Sequence, residues 1–451
     1  MSETIKSLLI RGGRIIDPSQ GKDETASLLI TEGKISWLGQ GELAPPEADY
    51  DIINGQGLIV SPGFIDLHCH LRQPGAEEKE TIASGSHAAA RGGFTTICCM
   101  PNTEPPLDSP EAIDYVKLTA TREAPVRVLP IGCISRGRKG ERLVDMKELA
   151  SAGAVAFSDD GSPVLSSRLM RQALEISRIL DMPIIDHCED TTLTEGGMMN
   201  EGALAHKLRL KGIPASAEEN MITRDLALAE LTGGRIHIAH VSTAGSVALI
   251  RRAKERGIRV TAEVTPHHLT LTEEQVTGYD TSAKVNPPLR TKGDTQALLQ
   301  GLKDGVIDAI ATDHAPHTEA EKGLEFALAP FGISGLETAL GSLMGLVHSG
   351  DLALPTLIAR LTTEPARIIG SKYGQLGTLR VGAPADITIF NPDMEWVVAP
   401  QAFASKGKST PLAGSKLKGK VVATIAQGRL VYQDDSIKIE KQAAERTELI
   451  R

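Results

Sequence analysis

Gly63-Phe64-Ile65-Asp66-Leu67-His68-Cys69-His70 is a β-rich, mostly apolar run that ends in two histidines separated by one residue. Seven further runs of the same texture follow, at 95–100, 126–132, 154–158, 183–187, 235–240, 259–264 and 307–312, with helical patterns such as 166–179, 217–231 and 244–255 between them. A strand that is apolar on both faces must be covered on both, and a helix after each strand supplies that cover in a parallel sheet. Eight such units predict an α/β fold, a (β/α)8 barrel of the TIM type.

The flanks read differently. Short β-rich runs at 8–10, 27–30 and 34–38 are punctuated by Gly12-Gly13, Asp17-Pro18 and Glu32-Gly33 turn signals, and the same texture returns at 385–390 and 420–432. The two ends are therefore expected to build one small β-sandwich domain together, from residues 1–60 and 366–451, around a barrel at 61–365. A chain of 451 residues exceeds what one hydrophobic core usually holds, which fits two cores.

Bulk composition narrows the function. With 41% hydrophobic and 23% charged residues the chain is of the ordinary globular class. A formal charge of -9 and a pI of about 5.8 oppose a nucleic-acid partner, since phosphate-backbone affinity rests on clustered Lys and Arg. Residues 1–14 show no secretory pattern and no stretch has the length of a membrane span, so the expected place is the cytoplasm and the expected partner a small molecule. Five cysteines, with only Cys98 and Cys99 close together, form neither a disulfide framework nor a zinc-finger spacing.

Active sites of such barrels lie at the C-terminal ends of the strands. Those ends here carry His68 and His70, Asp159-Asp160, His187, His240 and Asp313. Alternation puts His68 and His70 on one face, where both can grip one ion while Cys69 points away. Imidazoles and carboxylates without thiolate suit Zn²⁺ best among the common metals, with Mn²⁺ or Co²⁺ as substitutes. A lone histidine is usually a satisfied structural residue; four histidines and two carboxylates at one end of alternating elements are not a coincidence of composition. Periodicity does not choose between Asp159 and Asp160.

Pro62-Gly63-Phe64-Ile65-Asp66-Leu67-His68-Cys69-His70-Leu71-Arg72 resembles the opening signature of the amidohydrolase superfamily. Met100-Pro101-Asn102-Thr103, Phe157-Ser158-Asp159-Asp160-Gly161, Thr265-Pro266-His267-His268-Leu269, Lys284-Val285-Asn286-Pro287-Pro288-Leu289-Arg290 and Ala311-Thr312-Asp313-His314-Ala315-Pro316-His317 resemble, in order, the motifs of bacterial type I dihydroorotases. The resemblance implies a hydrolase of cyclic amide C–N bonds that interconverts N-carbamoyl-L-aspartate and dihydroorotate in pyrimidine biosynthesis. It implies two Zn²⁺ per subunit, one held by His68, His70 and Asp313, the second and looser one by His187 and His240, with Asp160 between them. Hydantoinases and type II relatives place a carboxylated lysine there; residues 154–161 contain no lysine. Asp313 would act as general base and then general acid. His70, Arg72, Asn102, Asn286, His317, Phe331 and Gly332 would bind substrate, Arg72 taking its free carboxylate, with the loop 318–332 closing over it.

Two other readings compete: a different cyclic amidohydrolase (dihydropyrimidinase, hydantoinase or allantoinase), opposed by Arg72 and the missing lysine, and a non-catalytic structural subunit of aspartate transcarbamoylase, opposed by a complete ligand set. Association with that enzyme stays open, and a homodimer is expected on the commonness of two-fold assemblies. His237, three residues before His240, is expected to face outward in a structural role. His267 and His268 are expected beside the ligands, His314 pointing elsewhere, and 73–80 as a solvated helix start.

Overall fold

The computed structural model describes residues 7–40 and 50–442; the outermost parts of the expected terminal segments lie outside the described residues. Strands Phe64–Cys69, Phe94–Cys99 and Arg127–Pro130 form one parallel ladder, and Ile184–Asp186, Ile236–Ile238, Val260–Val264 and Ala309–Ile310 another. Two connections join them into a ring. Phe157 bridges in parallel to Gly132 on one side and Ile184 on the other, and Cys69 bridges in parallel to His314. The barrel is thus closed, with the fourth run contributing single bridges rather than a ladder.

A helix follows every strand position: Ile82–Arg91, Pro110–Glu123, Met146–Ala152, Ser167–Leu180, Ala215–Thr232, Ala244–Glu255, Lys292–Lys303 and Ala339–His348. Their starts are fixed locally. Ser166 and Thr243 cap the fourth and sixth by accepting from Leu169 N and Ser246 N, and Thr291 with Asp294 forms a capping box on the seventh. Side chains pointing outward from the strands, such as Phe64, Ile97, Ile184 and Ile238, pack under these helices in the largest core. Ile65, Leu67, Leu129, Ile185, Ala239 and Ala311 form a second cluster with Ile368 and Ile369 of the helix Thr363–Ile369. That helix straddles the expected boundary at 365, because its isoleucines pack with barrel residues.

The chain ends combine as expected. Among the described residues nine strands link by hydrogen bonds into one sheet, drawn from Ser7–Asp17 through Ile59–Pro62 and from Ile387–Val397 through Ile439–Gln442. Ser7–Asp17 is the branch point: its first half pairs with Tyr50–Asn54 and its second with Ile59–Pro62, so the sheet wraps a core of Ile10, Ile15, Leu28, Ile53, Val60, Ile387 and Ile425. The 420–432 run is two strands, Lys416–Ala426 and Arg429–Gln433, divided by a turn in which Gln427 and Gly428 both have positive φ.

Sheet and barrel are joined without a linker. Ile59–Pro62 runs directly into the first barrel strand, and Phe64 packs edge-on against Phe94 (5.7 Å between centroids) and tilted against Phe390 (6.3 Å). Gly93 must be glycine: its φ is +88°, and a Cβ would lie 2.6 Å from Thr388 Cγ2. None of the described helices is long and apolar enough to cross a membrane.

Asp17 fastens the two chain ends: its buried carboxylate accepts from Ser19 N (2.9 Å) and from Leu379 N (2.6 Å), 362 residues away in sequence. Asp17→Ala strands these donors and should destabilise the protein by about 2–4 kcal/mol in denaturant titration, with Asp17→Asn costing less; equal stability of Asp17→Ala and wild type would contradict this attachment.

Candidate metal centre

The C-terminal strand ends converge on one buried cluster. His68, His70 and Asp313 each place a ligand atom within 4.8 Å of the others, and so do His68, Asp160 and His240. Asp160 Oδ1 lies 3.4 Å from His68 Nε2, 3.6 Å from His187 Nδ1 and 3.8 Å from His240 Nε2, and Oδ2 lies 3.6 Å from His70 Nε2. Asp313 Oδ1 is 3.1 Å from His70 Nε2 and 3.5 Å from His68 Nε2. Asp159 is turned away. Its carboxylate accepts from Ile134 N (2.9 Å), Ser135 N (3.1 Å) and the Ser135 hydroxyl, so geometry selects Asp160.

Backbone turns aim these groups. Arg72, His240 and Asp313, at the ends of strands one, six and eight, have φ of 58°, 32° and 45°. Left-handed non-glycine residues cost of order 1–2 kcal/mol and concentrate at functional sites. The turn at His240 also corrects the outward expectation for His237. Strict alternation would separate the two, but His237 is fully buried, its Nε2 donating to Glu263 Oε2 (3.1 Å) and its Nδ1 facing Thr261 Oγ1 (2.8 Å).

The outer nitrogens decide the tautomers. Ionised Glu263 can only accept, so His68 donates from Nδ1 (2.8 Å to Oε1) and its Nε2 lone pair faces the cluster. Glu189 accepts from His187 Nε2 at 2.9 Å, which turns the Nδ1 lone pair inward, 2.8 Å from His240 Nε2. His70 Nδ1 donates to Asn102 Oδ1 (2.8 Å). Burial opposes ionisation of Glu263, but the His237 and His68 hydrogen bonds outweigh it and hold its pKa at about 2.

Lone pairs therefore face carboxylate oxygens. His68 Nε2 and Asp160 Oδ1 are both buried and lack a hydrogen-bond partner, a costly arrangement unless a positive charge lies between them. A proton is one such charge: burial opposes it, yet Asp160 and Asp313 raise the His68 pKa well above the ordinary value. A divalent cation fits better, because one ion accepts several of these imidazole and carboxylate donors at once, and a nitrogen and oxygen donor set without thiolate suits zinc.

The residues expected to bind substrate lie around this cluster. Arg72 Nε donates to Pro316 O (3.2 Å), and the guanidinium approaches His317 Nε2 at 3.5 Å. His317 Nε2 donates to Phe331 O (2.9 Å); burial, with Arg72 and Lys79 adding to it, lowers its pKa to about 3, so the ring is neutral at working pH. Gly332, at φ +145°, leaves no room for a Cβ, which would meet Ala315 O at 2.3 Å. Asn286 reaches the cluster indirectly: its Nδ2 donates to Glu189 Oε2 (2.9 Å). The segment after His317 is pinned by lysines, Lys322 Nζ donating to Pro330 O (2.9 Å) and Gly332 O (3.0 Å), and Lys284 Nζ to Phe326 O (2.6 Å) and Ala329 O (2.7 Å).

Three carboxylates hydrogen-bonded to histidines in and beside the cluster escaped the sequence reading. Glu263 was legible, as an acid inside the buried strand Val260–Val264 that needs a partner; Glu189, two residues after His187, gave no such signal. Glu80 corrects the solvated reading of 73–80: it is fully buried and accepts from His314 Nε2 (3.2 Å), Ser84 and Ser405, which also turns His314 away from the cluster.

The family described as Dihydro-orotase-like matches residues 57–246. A relative from Pelotomaculum thermopropionicum named Dihydroorotase is 54% identical over 432 residues, 96% of this chain and 100% of its own length. Another of that name from Syntrophus aciditrophicus is 51% identical over 428 residues, 95% and 100%. Among solved structures, the L-hydantoinase (dihydropyrimidinase) of Arthrobacter aurescens superposes with a TM-score of 0.85 at 26% identity, covering 96% of this chain and 98% of that one. The dihydropyrimidinase of Brevibacillus agri does so with 0.80 at 23% identity, covering 97% of each, and shows the shared fold.

Glu263→Gln should weaken zinc affinity by about 10–100-fold in a chelator competition, as loss of a carboxylate behind a ligand histidine does, with a melting temperature near that of wild type. Unchanged zinc affinity would remove Glu263 from the centre.

Proposed function

The chain belongs to the dihydroorotase family, hydrolases of a cyclic amide, and from that premise we propose how its own residues divide the work. His68, His70 and Asp313 would hold one Zn²⁺, His187 and His240 a second, and Asp160 would serve both; metal bound there would supply Lewis acidity toward the amide carbonyl and an activated water. Asp313 takes the proton from the attacking water and returns it to the departing ring nitrogen; in the biosynthetic direction, where carbamoyl aspartate closes to dihydroorotate, it does the reverse.

Arg72 carries the choice of substrate. It is partly buried, burial lowers its pKa, and among the described residues it makes no ion pair. An unmatched guanidinium beside the cluster calls for an anion. Dihydroorotate brings a carboxylate outside the reacting bond; dihydrouracil and allantoin bring none. Asn102, its Oδ1 engaged by His70, offers Nδ2 to the same carboxylate. Asn286, neutral His317, Phe331 and Gly332 complete the substrate face, and the segment 318–332 covers it. The proposal places the enzyme in the cytoplasm as a homodimer, the commonest closed assembly, with aspartate transcarbamoylase as a candidate partner.

Ring opening of dihydroorotate, dihydrouracil and allantoin by zinc-loaded protein tests this. Only dihydroorotate should turn over; Asp313→Ala should lower kcat by about 10²–10⁴-fold, and Arg72→Met should raise KM by about 100-fold, roughly the loss of a charge-assisted bidentate contact. Preference for a ring without a carboxylate, or an Arg72→Met enzyme with wild-type KM, would overturn the reading.

A further inference from the structure

We infer that Glu189 is a positioning residue that couples the His187 side of the metal centre to the recognition of a substrate N–H by Asn286. The inference rests on the proposed reading of Asn286 as a substrate contact and adds what sets its polarity. One oxygen, Glu189 Oε2, accepts two hydrogen bonds, from His187 Nε2 at 2.9 Å and from Asn286 Nδ2 at 2.9 Å. The other oxygen is held by the Thr194 hydroxyl. Three donors, two from its own segment and Asn286 from 97 residues away, thus fix one carboxylate in place.

The consequence for Asn286 follows from donor and acceptor inventory. A carboxylate cannot donate, so the atom of Asn286 that meets Glu189 is its amide nitrogen, and Oδ1 is the end free of that bond. Asn286 therefore presents an acceptor. Asn102 is held the opposite way: its Oδ1 accepts from His70 Nδ1, which leaves Nδ2, a donor. The two asparagines, each oriented by a group bonded to or belonging to the metal centre, are of opposite polarity. Asn102 suits the substrate carboxylate, and Asn286 suits an N–H of the cyclic ureide or of the open carbamoyl group.

The same carboxylate orients His187. Without Glu189, the Nε2 proton loses its acceptor and the imidazole is free to present either nitrogen, while Asn286 is free to flip. Ligand geometry on the His187 side and hydrogen-bond polarity on the substrate side then fail together. Glu263 performs the first task for His68 but touches neither asparagine, so the coupling is a property of the Glu189 side alone.

The test is a set of four variants, Glu189→Ala, Glu189→Gln, Asn286→Ala and the Glu189→Ala/Asn286→Ala double, measured for KM with dihydroorotate and for zinc affinity by chelator competition. Glu189→Ala should raise KM about 10-fold, the loss of one well-made hydrogen bond, and weaken zinc binding about 10–100-fold. Glu189→Gln keeps an acceptor oxygen, with its amide turned toward Thr194, and should bring both quantities back to within about 3-fold of wild type. In the double variant the KM effects should not multiply, because Asn286 is already released. Multiplying effects would overturn the coupling while leaving Asn286 a substrate contact, and an Asn286→Ala enzyme with wild-type KM would overturn the reading beneath it. If Glu189→Ala does not fold, Thr194→Val, which frees one oxygen of the carboxylate, should move KM and zinc affinity in the same direction, and no movement of either would sink the inference.

Discussion

His68 Nε2 and the facing oxygens of Asp160 and Asp313 form a contact that no group among the described residues resolves. The proton of His68 is committed to Glu263 on its far side, so a lone pair looks at two carboxylates inside a barrel closed on every side by backbone hydrogen bonds. Water cannot screen charges buried this deeply. A cation is the group that satisfies the arrangement, and much else in the molecule follows from holding its ligands still. Strand ends converge because the ring is closed; the ring is closed because Phe157 and Cys69 bridge the two ladders; and left-handed turns at Arg72, His240 and Asp313 aim side chains that regular strands would point elsewhere.

Support for these side chains comes from a layer of hydrogen bonds behind them, each with a distinct origin in the chain. Glu263 and His237 come from strands seven and six and fix His68. Glu189 lies just past strand five and fixes His187. Glu80 reaches from the first helix connection to His314 and to Ser405, which belongs to the crossing between Ile387–Val397 and Lys416–Ala426. The small β-domain is thereby tied to the segment that carries Asp313, so its role extends beyond covering apolar surface. A preorganised polar environment of this sort is where catalytic electrostatics is strongest, since no reorganisation is needed when charge develops.

Much of this was legible in the sequence because barrel strands are apolar on both faces and their polar ends stand out. The eight runs, the helices between them, the shared β-domain and the gathering of His68, His70, Asp160, His187, His240 and Asp313 at one end all follow from that contrast. What resisted reading was whatever depends on departures from regular geometry. Parity sent His237 outward, whereas the turn at His240 lets both histidines serve the interior. The 154–158 run has strand composition but makes only single bridges at Phe157. Glu80 and Glu189 look like ordinary polar loop residues in one dimension, and only the fold supplies the partners that bury them. Asp159 and Asp160 are equivalent by composition; the Ser135 turn claims one and leaves the other for the centre.

Anomalous diffraction at the zinc edge, from crystals of zinc-loaded protein, is the most direct test of the central claim. The account predicts two peaks, one among His68, His70, Asp160 and Asp313 and the other among Asp160, His187 and His240. Absence of any peak among these six residues, with zinc bound elsewhere, would contradict it.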